Sequence, residues 1–312
     1  FDPKISFKYI AYENITIRAS RSSSFSMSSM AQMFSSDINL GSVRDFNGSS
    51  PFVRQAQIGN PNLKPSTSKN FNIGLIFEDE NQSLSIDYWN IDYKNRIESQ
   101  SAQVILNTDP NGPSITRNSS GDLIGVTTTY FNEESTEVSG VDISFNRLLA
   151  DSNKFGNASL SINSTTLIEF LTPALGNEDA EIMIDRVGKF NYDTNTHSLP
   201  KNRINAFLNW KYQNYDINFN SRYIDGYSNE RPINSLGTSY GYNNSVNSFF
   251  VHDFSVKRLL TTNKGEIDIK LSIINIFDKA APRLYDAPDF SFDTRVHDPR
   301  GRIVGISFEY RN

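Results

Sequence analysis

The sequence predicts an all-β chain, an antiparallel up-and-down transmembrane β-barrel wall of about eleven strands. Three observations predict it. Apolar residues fall on one parity in segment after segment, the connections between segments alternate between short and long, and the opposite parity is polar. Helical spacing is rare, and no stretch approaches the ~18 to 20 continuous apolar residues of a membrane helix. The mean hydropathy of -0.47 is compatible with a barrel, because each strand alternates lipid-facing apolar with lumen-facing polar residues and averages out.

Taken in order, Ile5, Phe7, Tyr9 and Ala11 share a face, and a Glu13-Asn14 turn leads to Ile15, Ile17 and Ala19. Phe71, Ile73, Leu75 and Phe77 form the next strand, and a polar turn within Glu78 to Ser83 leads to Leu84, Ile86 and Tyr88. The parity blurs at Trp89, where Ile91 and Tyr93 become the apolar members, which predicts a bulge or a change of environment. Val141, Ile143 and Phe145 turn at Asp151 to Lys154 into Ala158, Leu160 and Ile162. Ile204, Ala206, Leu208, Trp210 and Tyr212 turn through Gln213-Asn214 into Ile217, Phe219 and Tyr223. Phe254 and Val256 turn through Thr262-Asn263 into Ile267, Ile269, Leu271 and Ile273, and Val304, Ile306, Phe308 and Tyr310 make the last strand.

Same-face residues oppose one another across a hairpin, so each turn specifies a register. Centring on Gln213-Asn214 sets Trp210 opposite Ile217 and Asn205 opposite Arg222. Centring on Thr262-Asn263 sets Lys257 opposite Asp268 and Phe254 opposite Leu271. Apolar meets apolar in each case, as real strand pairs require.

The long connections, Ser22 to Ser68, Ser99 to Ile124, Leu171 to Lys201, Ser228 to Asn247 and Asp278 to Arg300, all fall on one end of the sheet. Loops this long are uncommon in compact soluble domains, whereas outer-membrane barrels pair short periplasmic turns with long extracellular loops. An odd strand count puts the end of the last strand on the short-turn side. The face opposite the apolar one carries Arg18, Asn72, Asp87, Asp142, Asn163, Asn209, Asn218, Asn220, Arg222, Lys257, Asp268 and Lys270, too polar for the dry interior of a small barrel. These are the candidate lumen-facing residues. Tyr88, Trp89, Tyr93, Trp210, Tyr212, Tyr215, Tyr223 and Tyr310 near segment ends predict interfacial aromatic girdles.

Other chemistries find little support. No cysteine is present, which removes disulfides, zinc ribbons and thiol nucleophiles, and a net charge of -5 gives no general field for nucleic acid. His197, His252 and His297 have no partner at metal spacing, and the acidic run Glu178, Asp179, Glu181 lacks the spacing of a calcium loop. No metal or cofactor is expected, and no enzyme, since Ser-rich stretches such as Arg21 to Ser29 lack companion His and Asp. The last long loop carries Arg283, Tyr285, Asp286, Asp289, Arg295, His297 and Arg300, a mix able to bind an anionic or polyol solute, or to pack the loop against its neighbours.

Specific strings carry a family resemblance. Asn60-Pro61-Asn62-Leu63-Lys64-Pro65 followed by Asn70-Phe71-Asn72-Ile73-Gly74-Leu75 resembles the segment of TonB-dependent outer-membrane receptors in which a loop re-enters the barrel wall, with Ser66 where the family usually has Glu. The prolines hold an extended entry and Gly74 allows close packing. Leu84 to Asp92 resembles the family's next strand, Leu199 to Arg203 the entry to a later one, Ile274 to Lys279 its penultimate strand and Gly301 to Tyr310 its last, although the chain ends on Asn312 rather than an aromatic residue.

The resemblance implies that residues 1–312 are the C-terminal part of one receptor barrel, eleven of about 22 strands, with the plug and the TonB-contacting box lying outside this sequence. Two unpaired edges would then prevent it from being an autonomous unit. It implies a Gram-negative outer-membrane receptor that imports a scarce bulky solute (siderophore-iron, haem, cobalamin or oligosaccharide) with energy from TonB. Implied partners are outer-membrane lipid, the receptor's own plug domain, TonB and the solute, with no nucleic acid. Two other readings are a soluble secreted β-sandwich, acting as adhesin or glycan-binding protein, and a passive porin. In a barrel Leu208, Trp210, Phe219 and Leu271 face lipid; in a sandwich they face a second sheet.

Overall fold

A computed structural model describes residues 2–152, 154–174, 182–191, 198–285 and 291–311. Its wall has eleven strands: β1 (Lys4–Tyr12), β2 (Ile15–Ser26), β3 (Ser66–Glu78), β4 (Gln82–Ser99), β5 (Leu123–Ser152), β6 (Gly156–Pro173), β7 (Asn202–Tyr212), β8 (Tyr215–Ile224), β9 (Phe249–Thr262), β10 (Gly265–Ile274) and β11 (Ile303–Arg311). Each pairs antiparallel with its neighbours in sequence, so the path is up-and-down throughout. The outermost strands, β1 and β11, each have one paired side among the described residues.

Register fixes the two faces. One row runs Trp210, Ile217, Val256, Leu271, Ile306 across β7 to β11, and the adjacent row runs Lys211, Asp216, Lys257, Lys270, Ser307. The alternation read from sequence is therefore a true two-faced wall. The apolar face is not covered: Phe7, Ile306 and Phe308 are 60%, 65% and 72% exposed. Besides the wall and its attached strands, the described residues form one other sheet, the two-residue pair Tyr227–Ser228 and Ser245–Val246, far too small to make a sandwich. A contiguous uncovered apolar surface of this size belongs against hydrocarbon.

Buried apolar packing lies at the long-loop end instead. Helix α1 (Met30–Phe34) and the hairpin Ser36–Ser42 with Phe52–Ile58 rise from the first long connection, and Phe52–Ile58 adds parallel to the upper part of β5. Helix α2 (Ala102–Thr108), N-capped by Ser101, closes over them so that Val43, Val53, Ala102, Leu106, Leu123 and Val126 bury one another. A second cluster, Phe190, Tyr227, Val246 and Leu284, joins three other long loops. Helix α3 (Ser235–Ser239) lies in one of these loops.

Strand lengths explain the blurred parity at Trp89. β4 has 18 residues and β5 has 30, well beyond the ~9 to 11 that cross a bilayer, so their upper parts stand in water. The β4–β5 and β3–β4 registers run unbroken through Trp89. The change is thus one of environment and not a bulge in β4. The irregularity is one strand over, in the β5–β6 pairing at Ser139/Gly140. Register also corrects the girdle: Trp89 and Tyr93 lie on the face of Asp87, with the Trp89 ring against Gly140, whereas Trp210, Tyr212, Tyr215 and Tyr310 share the apolar face near the short turns.

The Gln213-Asn214 hairpin has the expected register, Trp210 opposite Ile217 and Asn205 opposite Arg222. The β9–β10 hairpin differs by two: Phe254 opposes Ile273 and Lys257 opposes Lys270, because the turn is Asn263-Lys264. Gly265 closes it with φ of +136°, and a Cβ there would meet the Arg311 carbonyl at 2.3 Å.

The resembling strings have mechanical roles. Asn60 Oδ1 accepts from the Asn62 N–H at 2.9 Å. Asn132 on β5 clamps the same loop, accepting from the Lys64 N–H and donating to the Lys64 carbonyl, both at 2.8 Å. Asn275, at φ +52°, donates to the Lys279 carbonyl and accepts from its N–H at 2.9 Å, folding the chain out of β10.

Candidate functional site

The polar candidates Arg18, Asn72, Asp87, Asp142, Asn209, Asn218, Asn220, Arg222, Lys257, Asp268 and Lys270 share one face, and most are tied across strands. Arg18 donates to Asp87 through Nε at 2.9 Å and Nη2 at 2.6 Å. Asp142 accepts from Thr165 at 2.7 Å, and Asn209 donates to Asp216 and Asn218. Arg222 and Asn220 both reach Asp253, which also accepts from the Asn275 N–H at 2.9 Å. Asp268, 6% exposed, takes Arg311 and, at 3.5 Å, Lys257. The Lys257–Asp268 contact thus survives as a diagonal one. Isolated charges on a wall demand neutralisation, and Asp87, Asp253 and Asp268 have it from Arg18, Arg222 and Arg311, while Asp142 and Asp216 take hydroxyl and amide donors.

Among the described last-loop candidates, Arg283 and Tyr285 come together, and Arg295 and Arg300 are not part of that group. The Arg283 guanidinium lies 4.3 Å from the Tyr242 ring centroid, Tyr242 meets Tyr285 edge-on at 5.6 Å, and Arg231 lies 6.0 Å from Tyr285. This gives an arginine–tyrosine–tyrosine–arginine array. Gly237 makes room for it, since a Cβ there would come within 2.6 Å of Tyr285. Arg300 turns to Asp298 instead, holding that carboxylate at a pKa of about 2. The Arg295 N–H bonds Asp293. Asp286, Asp289, Glu178, Asp179, Glu181 and His197 lie outside the described residues.

Arg231 also lines a cleft of about 610 Å³ between the first-loop cap and the loop after β8. Its opposite wall is Arg44, Asp45, Phe46, Gln103 and Asn107. Asp45 is committed elsewhere: Arg117 grips both its oxygens at 2.8 Å, which lowers the Asp45 pKa, and the Gln103 amide donates to the Arg44 carbonyl and to Asn107.

The family model for the TonB-dependent receptor-like β-barrel matches residues 1–276. The chain belongs to this family. Comparison with curated proteins finds no match. Among solved structures, the siderophore receptor PirA of Acinetobacter baumannii superposes with a TM-score of 0.64 at 16% identity, covering 99% of this chain and 40% of that one. The ferric enterobactin receptor PfeA of Pseudomonas aeruginosa, in complex with enterobactin, gives 0.65 at 17%, covering 98% and 40%. The iron transporter FrpB of Neisseria meningitidis gives 0.57 at 11%, covering 99% and 38%. These likenesses show the fold, and the chain spans about two fifths of the length of each.

Sequence reading of this TonB-dependent receptor barrel missed Arg231, Tyr242 and the cleft's first-loop wall. Contacts between loops far apart in sequence leave no periodic signal. It also missed what surrounds His297, expected as an ordinary residue without a metal partner. The ring is 4% exposed, parallel to Tyr227 and edge-on to Phe249, and burial lowers its pKa. Asp293 accepts from the Tyr227 hydroxyl at 2.7 Å and from Ser198, and desolvation with this bond pushes the phenol well above its ordinary pKa. His252 lies on the apolar face, stacked on Phe219 and bonded to Ser221 at 2.8 Å.

Proposed function

We propose that residues 1–312 are the C-terminal part of the barrel of an outer-membrane receptor in a Gram-negative bacterium, which captures a scarce bulky solute and imports it with energy relayed by TonB. The carrying observation is the arginine–tyrosine array, Arg283, Tyr242, Tyr285 and Arg231, beside a cleft of about 610 Å³ at the long-loop end of a family barrel wall. A guanidinium stacked on a phenol, as Arg283 is on Tyr242, presents its N–H edge to anionic oxygens, so the array favours an anionic chelate or acidic oligosaccharide over a neutral sugar. Siderophore-iron is the leading class, because the solved neighbours are siderophore receptors. Arg295, Arg300, Asp286 and Asp289 belong to the same connection in the sequence.

The polar face is the lumen, and the receptor's plug fills it. Arg18, Arg222 and Lys257 keep 40 to 47% of their side chains exposed on this face, and these are the groups a plug's polar surface would meet. The free sides of β1 and β11 pair with the rest of the barrel. Lipid covers the apolar face.

The test is uptake of radio-iron presented on a panel of hydroxamate and catecholate chelators, using the full natural gene in a host lacking its own receptors. TonB-dependent uptake that falls at least tenfold in Arg231→Ala and Arg283→Ala supports the reading. Uptake indifferent to TonB would identify a passive pore.

A further inference from the structure

Three long loops meet at one carboxylate. Asp293, on the connection from β10 to β11, is 2% exposed and has no cation within ion-pair distance among the described residues. Its Oδ2 accepts from Ser198, on the connection from β6 to β7, and from Tyr227, on the connection from β8 to β9. Its Oδ1 accepts from the Arg295 N–H at 3.0 Å, which fixes the carboxylate on its own loop. The neighbouring apolar cluster draws on the same three connections, Phe190 on the first, Tyr227 and Val246 on the second, and Leu284 on the third. The first two are also stitched by backbone bonds, Ser228 N–H to Gly188 at 2.8 Å and Phe190 N–H to Ser228 at 2.9 Å.

We infer that Asp293 is a latch that makes these three extracellular loops move as one body. A buried carboxylate that accepts two hydroxyl bonds and a backbone bond is stable only while all three donors stay in place, so its loss frees every loop that supplies a donor. Ser198 and Tyr227 belong to loops already joined by backbone; the third loop meets the second through the Asn229 donation to the Tyr285 carbonyl and the arginine–tyrosine contacts, and Asp293 is the buried group that bonds it to both loops at once. That third loop carries Arg283 and Tyr285, whereas Arg231 and Tyr242 sit on the second. The latch is therefore a positioning residue for the arginine–tyrosine array. That consequence rests on the proposed solute role, while the coupling of the loops does not. His297 packs the latch from below: its Nε2 lies 3.3 Å from the Tyr227 hydroxyl and its N–H bonds the Asp293 carbonyl at 3.0 Å.

Hydrogen exchange followed by mass spectrometry on the full natural chain in detergent tests this without any solute. Asp293→Asn keeps the size but replaces one acceptor oxygen with a donor, so it should raise exchange about tenfold or more in all three loops, 182–191, 225–248 and 291–300. Wall amides of β7 to β10 should be unchanged, showing that the variant has folded. Ser198→Ala and Tyr227→Phe each remove one bond, and each should also raise exchange in the loop that carries Asp293. A rise confined to 291–300 in Asp293→Asn, or effects of Ser198→Ala and Tyr227→Phe confined to their own loops, would overturn the latch. Iron uptake by the same variants separates the two claims: coupled loops without an effect on uptake leave the latch standing and remove its link to the solute site.

Discussion

Arg18 and Asp87 lie on strands that do not pair with each other, and they meet over Gly74 on the strand between them. The guanidinium on β2 donates two hydrogen bonds to the carboxylate on β4, at 2.9 and 2.6 Å, across the width of β3. No side chain fits beneath, since a Cβ on Gly74 would lie 2.0 Å from Asp87 Oδ1 and 3.2 Å from Arg18 Nε. One glycine in a strand, ordinarily a weakness, here lets three strands share an ion pair on the polar face.

Gly74→Ala should therefore break the pair and destabilise the wall by about 1–3 kcal/mol, the usual penalty of overpacking. Urea unfolding in detergent measures it. Arg18→Ala should abolish most of the difference between Gly74→Ala and wild type, whereas Gly305→Ala, whose Cβ meets Ser272 Oγ at a milder 3.2 Å, should lose less.

The loop clamp at Asn132 predicts a local effect. Its side chain accepts from the Lys64 N–H and donates to the Lys64 and Asn95 carbonyls. Asn132→Ala strands these groups, and the loss should be about 1–3 kcal/mol. It should appear as faster amide exchange at residues 60–66 with unchanged exchange in β9 and β10.

Acid should loosen the long-loop cap through His297. Burial lowers its pKa below 6.5, Arg203 lowers it further and the Asp293 charge opposes both. The folded cap then binds fewer protons than the opened one, so the neutral ring's contribution is complete above about pH 6.5 and is lost as pH falls through that value toward the lowered one. Tyr227, the other titratable group against the ring, stays protonated throughout, its phenol being shifted upward. Exchange in 291–300, corrected for intrinsic rates, should rise between about pH 8 and pH 5, and His297→Phe should flatten that rise.

Much of this fold was legible in sequence, and the reason is physical. Lipid on one face and polar partners on the other impose period two on every wall strand, so Ile5 to Tyr12 or Val304 to Tyr310 declare themselves. The β9–β10 register was misplaced by two, and a shift of two preserves which residues share a face. Matching faces thus cannot distinguish the registers, and Gly265 with its positive φ was the signal that could. Trp89 and Tyr93 were misassigned to the girdle because the polar face of β4 carries aromatic residues of its own, and an aromatic near a segment end does not declare which face it serves. The cleft and the latch join residues such as Arg44 with Arg231, and Ser198 with Asp293, whose separations carry no local trace.

The central claim is that the apolar face of this wall meets lipid and the polar face does not. The chain has no cysteine, so single cysteines can be placed along β11 and spin-labelled in the full natural chain in bilayers. Labels at Val304, Ile306 and Phe308 should be open to dissolved oxygen and shielded from an aqueous nickel chelate, and labels at Gly305 and Ser307 should be the reverse or occluded from both. Alternation with that phase is the predicted result. Nickel access at Ile306 equal to that at Ser307, or no alternation along the strand, would contradict the account.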